Sequence, residues 1–250
     1  MSNLIGIILE INRNIARKFE FDYILFDALF LAIWVALLVG RKRFGPLKAG
    51  LVCAAIVYVI DGVIWTATGV REYGIPAPWI KYPVDFMMDV SYGIIAFSWV
   101  WIAFERESAR DVVFWTVLLF AGWLIIPFAS RWIALVDDPI ATVRHMSSRV
   151  WVHISVVLGG YLALIALGYD LKTLLYVFWV GCILAFMMEF ALLVSGIRST
   201  NIALLVYETL ILTNQGIPYL YVIRDRIVPL LCKRVAPQKP AQTFQQHDVE

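Results

Sequence analysis

The chain has 250 residues, of which 61% are hydrophobic and 16% charged, with a mean hydropathy of +0.78 and a formal net charge of +2. That is more apolar surface than a water-soluble domain of this length can bury, which excludes a soluble globular fold and points to a bilayer. The near-neutral charge carries no basic stripe and gives no ground for a nucleic-acid partner, and Cys53, Cys182 and Cys232 are too far apart for a disulfide framework or a zinc site.

In chain order, the first segment is MSNLIGIILEINRNIARKFE. Leu4, Ile8, Ile11, Ile15 and Phe19 recur at helical spacing, with Glu10, Arg13 and Arg17 elsewhere, which predicts an interfacial amphipathic helix over 1–20 rather than a cleaved leader. Seven apolar runs follow, most of them ~18–25 residues long and each able to cross ~30 Å of hydrocarbon as a helix. They cover roughly residues 21–40, 48–69, 83–104, 112–129, 150–168, 173–195 and 202–223. The expected fold is therefore an all-α, polytopic membrane bundle over 21–228, with a polar, disordered tail over 229–250. Arg41, Lys42, Arg43 and Lys48 crowd the loop after the first run, which places that loop in the cytoplasm, the N-terminus outside and the C-terminus inside.

Ionisable groups inside spans are costly and read as functional by default. Asp27, Asp61, Asp89, Glu189 and Glu208 are such groups, and no Lys or Arg sits at comparable depth within a span. At about 1.5 Å per residue, Asp27, Asp89, Glu189 and Glu208 fall ~6–10 Å below one face, and Asp61 reaches the same half from the other direction. Acids meeting there without cations would have to be protonated, hold an ion or line a wet crevice. Asp85 and Asp89, four apart in KYPVDFMMD, share a helix face. Such a pair can hold Mg²⁺, but no second acid-rich helix accompanies it, and Asp85 beside Pro83 suits a helix start. No metal and no cofactor is expected. FMMD (86–89) and FMME (186–189) look alike, but four residues do not make a repeat.

Among ten Trp and eleven Tyr, most serve packing or the interfacial belts. Tyr58, Trp65, Tyr92 and Tyr207 fall near the acids, where ring faces could hold a cation. The last run, NIALLVYETLILTNQGIPYLYVIRDR, breaks at Asn214, Gln215, Gly216 and Pro218. Such a break is tolerated in a bilayer only where protein or a cavity satisfies the freed backbone. His153 could relay a proton, although a structural hydrogen bond is the commoner role for a lone histidine.

Seven spans in 250 residues, the second-span DGVIW (61–65) and the seventh-span LTNQGIPYLYVIRD give the chain a layout that resembles the small integral membrane terpene cyclases of meroterpenoid and indole-diterpene pathways. The resemblance implies an intramembrane acid that protonates an epoxide or alkene of a prenyl chain, followed by cyclisation in an aromatic cavity. Asp61 stands where that family usually has Glu. Asn214 and Gln215 stand near its seventh-span acid, so Glu208 or Asp89 would tune or replenish the proton. Trp65, Tyr92, Tyr58, Asn214 and Tyr219 would line the lipophilic substrate. Two other readings stay open: a small transporter using the acids as a cation or proton site, and a non-catalytic scaffold whose acids pair with partner membrane helices.

Overall fold

A computed structural model describes residues 15–145, 150–198 and 202–235. Helices dominate, and five of them are long and apolar enough to cross a membrane: α1 (Phe21–Gly40), α2 (Phe44–Trp65), α3 (Pro78–Glu105), α4 (Ala109–Trp132) and α6 (Leu171–Val194). A shorter apolar helix, α5 (Val150–Ala166), precedes α6. The last run is broken into α7 (Ile202–Leu210), a 3₁₀ turn (Leu212–Gln215), α8 (Ile217–Val222) and, after a π-helical turn, α9 (Val228–Val235). The interruption falls where Asn214 to Pro218 predict it.

Two expectations are corrected. Ile15–Glu20, assigned above to an amphipathic helix, is a β-strand, and residues 1–14 lie outside the described residues. The tail expected to be disordered from 229 onward is helical through Val235, and residues 236–250 are likewise outside the described residues.

The strand belongs to a feature that hydropathy does not announce. β1 (Ile15–Glu20), β2 (Arg71–Gly74) and β3 (Pro139–Arg144) form an antiparallel sheet in the order β1-β3-β2. It joins the segment before α1, the α2–α3 loop and the α4–α5 loop into a cap over one end of the bundle. The α6–α7 turn adds to its edge, where Lys18 N donates to Ile197 O at 2.8 Å. Asp22, buried in the first turn of α1, accepts from the backbone N–H groups of Leu135 and Val136 at 2.7 and 2.9 Å and so ties the α4–β3 connection to the helix start.

Below the cap, α2 packs closely on α3. A Cβ on Gly93 would sit 2.4 Å from Ala54 Cα, and one on Gly50 would sit 2.6 Å from the Ile94 carbonyl, so only glycine permits this approach. The far half of the bundle is solid. Trp34, Leu38, Trp99, Ile102, Phe104, Trp115 and Leu119 are almost fully buried, Trp34 and Trp115 meet edge to face at 4.9 Å, and Trp34 Nε1 donates to Ser98 Oγ at 2.8 Å.

Candidate functional site

The site begins with the alternation of strands. Residues directly opposite on antiparallel strands share a face. The register sets Arg17 against Thr142, Phe19 against Ile140, Arg71 against Arg144 and Tyr73 against Thr142. Phe19, Arg71, Ile140 and Thr142 are buried while Lys18, Glu72 and Gly74 are exposed, so this face looks down into the bundle. It carries three arginines: Arg17, Arg71 and Arg144.

Those arginines overturn the expectation of acids without cations. Arg71 reaches both Asp61 and Asp89, donating to Asp89 Oδ1 at 3.0 Å. Burial pulls its pKa down, but the two aspartates more than offset this and raise it. A second triad mirrors the first. Gly196, at φ +70°, turns the chain at the end of α6, and the fully buried Arg198 then bonds Glu189 and lies 3.5 Å from Glu208. Each triad joins two consecutive helices through an arginine from the loop between them. Residues 58–65 and 86–91, which carry Asp61 and Asp89, are π-helical, a widened geometry frequent at functional sites.

The DxxxD pair separates. Asp85 bonds Tyr73 and Lys81 while Asp89 turns to Arg71. Among the described residues no group of His, Cys, Asp and Glu is placed to hold a metal ion.

Between the triads lies a cavity of about 300 Å³. Its roof is Arg17, Arg71 and Arg144, and its walls are aromatic and thioether: Tyr23, Trp65, Tyr92, Trp123, Met87 and Met188. Tyr92 stacks on Trp123 at 6.1 Å and 18°. Three acids reach the lining, Asp61, Glu208 and Asp27. The first two belong to arginine triads. Asp27 is 6% exposed, has no Lys, Arg or His within ion-pair distance among the described residues, and keeps one buried oxygen without a hydrogen bond. On one side the cavity reaches Ile56 and Ile60 of α2, both exposed on the apolar outer surface. Beside this stretch α2 meets α5 at Trp65, whose ring lies edge to face against His153 at 6.1 Å.

Of the residues singled out from sequence, Asp61, Glu208, Trp65 and Tyr92 come together on this cavity. Asp89 stands directly behind it through Arg71. Three lie elsewhere. Tyr58 is on the outer surface, 36% exposed. Asn214 is buried among helices, accepting from Tyr161 Oη at 3.1 Å and donating to Leu210 O at 3.3 Å. Tyr219 donates to Val156 O at 2.8 Å and fastens α8 to α5. None of these three lines the cavity. His153 pairs through Nδ1 with Gln215 Oε1 at 2.8 Å. The roof arginines lie outside the spans, in segments of four to six residues whose sequences, REYG and PIATVR among them, carry no strict apolar–polar alternation.

No protein family, curated protein or solved structure matches this chain.

Proposed function

We propose that the chain is a seven-span membrane enzyme, its capped end on the non-cytoplasmic side, acting on a lipophilic isoprenoid-type substrate by proton-initiated cyclisation. The observation that carries this reading is Asp27, a buried carboxyl group uncommitted to any cation among the described residues, on an aromatic-walled cavity whose lining reaches the apolar outer surface at Ile56 and Ile60. The role of acid passes from Asp61 to Asp27, because Asp61 is committed to Arg71 as its partner while Asp27 has no cation within ion-pair distance among the described residues.

In this chemistry the Asp27 proton goes to an epoxide oxygen or an alkene carbon. With an epoxide the C–O bond breaks and its electron pair stays on oxygen, leaving a carbon cation that neighbouring π pairs attack to close rings. Tyr92 and Trp123 present ring faces to that cation. The last cation loses a proton to a cavity carboxylate, so the reaction is a net isomerisation and needs no oxidant. A transport role is disfavoured by the far half of the bundle, where Trp34, Trp99 and Trp115 are almost fully buried among the described residues.

The test supplies prenylated and epoxidised precursors to membranes holding the full chain. A cyclised isomer of unchanged mass is expected from wild type and from Glu107→Gln at the far end, and none from Asp27→Asn. Loss in Asp61→Asn with retention in Asp27→Asn would return the acid to Asp61, and no cyclised product from any precursor would overturn the reading.

A further inference from the structure

The roof of the cavity breaks a local rule. Like charges directly opposite on neighbouring strands repel, yet Arg71 faces Arg144 across the β2–β3 pair, with Arg17 one diagonal step away on β1. Arg71 is compensated by two aspartates. Arg144 is not: among the described residues no carboxylate lies within ion-pair distance of it, and its nearest partner is the Trp65 ring at 6.0 Å. Arg17 is nearly as bare. Its one ion pair, to Glu189, is 4.0 Å long, and that acid is already bonded to Arg198, while its buried Nε has no hydrogen-bond partner. Burial, with Arg198 and Arg144 nearby, pulls Arg17 down to about 9. Both guanidinium groups line the cavity. Local violations of this kind mark functional positions more often than structural ones.

We infer that Arg17 and Arg144 form the head-group site for an anionic amphiphile, a phosphate or carboxylate on a prenyl chain, whose tail lies against Met87, Met188 and Trp123 and runs outward past Ile56 and Ile60. Guanidinium forks match the geometry of such oxyanions. An oxyanion there would supply the close partner that neither guanidinium has among the described residues. The site adds head-group selectivity to the cavity read above as a substrate site, and it rests on that reading.

Binding needs no turnover, so the two ideas separate. The full chain in neutral detergent is titrated with tritiated farnesyl phosphate, farnesol and farnesylamine, with inorganic phosphate and phosphatidylglycerol as competitors. Farnesyl phosphate is expected to bind about tenfold or more tighter than farnesol, the size of one charge-assisted hydrogen bond, with farnesylamine weakest. Arg144→Gln and Arg17→Gln should erase that preference while leaving farnesol affinity within about twofold, and Arg144→Lys should restore part of it. Inorganic phosphate should compete poorly, because it has no tail. Equal affinity for farnesyl phosphate and farnesol, or a preference unchanged in both Gln variants, overturns the head-group site alone. Displacement by phosphatidylglycerol as efficient as by farnesyl phosphate makes it a phospholipid site and overturns the prenyl assignment. No binding of any prenyl probe sinks both ideas.

Discussion

Four arginines sit within one small region at the capped end, and they fall into two kinds. Arg71 and Arg198 are each closed by two carboxylates and are almost fully buried. Arg17 and Arg144 face the cavity, one with a long, shared ion pair and the other with none among the described residues. The first kind joins α2 to α3 and α6 to α7, so its energetic role is to hold helices. The second kind ties no pair of helices together, which is why the anion site proposed above is placed on it. One residue type at one depth thus serves two ends, and the count of partners tells them apart.

That contrast is most exposed by Arg71→Ala. Removing one partner from a buried ion cluster leaves the others desolvated and unpaired, typically a loss of about 3–5 kcal/mol. Asp61 and Asp89 would be left facing each other, and unfolding in a detergent–dodecyl sulfate titration should shift by an amount of that order. Adding Asp61→Asn and Asp89→Asn to Arg71→Ala should recover most of it. If Arg71→Ala costs no more than Arg144→Gln, the division into closed and open arginines is wrong.

A smaller effect is expected at Asn214, a residue the sequence suggested for substrate, which lies off the cavity beside Gly181. Its side chain fills the notch over Gly181, where even a Cβ would come within 2.2 Å of Asn214 Oδ1. Asn214→Ala strands Tyr161 Oη and opens a gap, which should cost about 1–3 kcal/mol. Affinity for farnesol, measured as above, should stay within about twofold.

Arg144→Gln should barely move the unfolding transition, by about 0.5 kcal/mol or less, since no ion pair is lost. Its consequence is in binding. The open pair also has a pH signature. Arg17 is faced by Arg144 from β3, Arg198 from the α6–α7 turn, Glu189 from α6 and Tyr23 from α1. With its pKa lowered to about 9, Arg17 is charged below that value and loses its proton as pH rises through it. Affinity for farnesyl phosphate should therefore be flat from pH 7 to 8 and begin to fall above about 9, whereas farnesol affinity should not follow. A bound anion favours the charged guanidinium, so the midpoint of the fall should lie above that of the free protein.

Much of this was legible in the sequence, and what was hidden has a physical reason. The apolar runs marked the long helices, because hydrocarbon thickness sets a length that composition reports directly. Asn214 to Pro218 marked the break in the last run, because proline and glycine act locally. Asp61, Glu208, Trp65 and Tyr92 were assigned to a site and reach one cavity. What stayed hidden was non-local. The strands are only four to six residues long and come from three separate segments, so no single window contains the sheet. The pairing of Arg71 and Arg198 with acids on two helices each depends on helix rotation, which uniformly apolar spans do not encode. Tyr58 lies off the cavity for the same reason: its helix face, not its depth, puts it on the outer surface.

Asp27→Asn should perturb stability least of all, yet it bears most on the function. The carboxyl group makes no ion pair among the described residues and leaves one buried oxygen unbonded, so the isosteric amide removes no cation's partner and changes the volume little. A structural acid would behave as the triad acids do, and replacing it would release an arginine. A proton donor behaves otherwise: unfolding should stay within about 0.5 kcal/mol of wild type, farnesyl phosphate should bind as before, and cyclised product should vanish. An Asp27→Asn protein that unfolds as readily as Arg71→Ala would make Asp27 part of the scaffold after all, and one that still cyclises at the wild-type rate would remove it from the chemistry. The triad acids tie helices together through arginine, whereas Asp27 is the lining acid that, among the described residues, no arginine holds, which is why the proposed chemistry is placed on it.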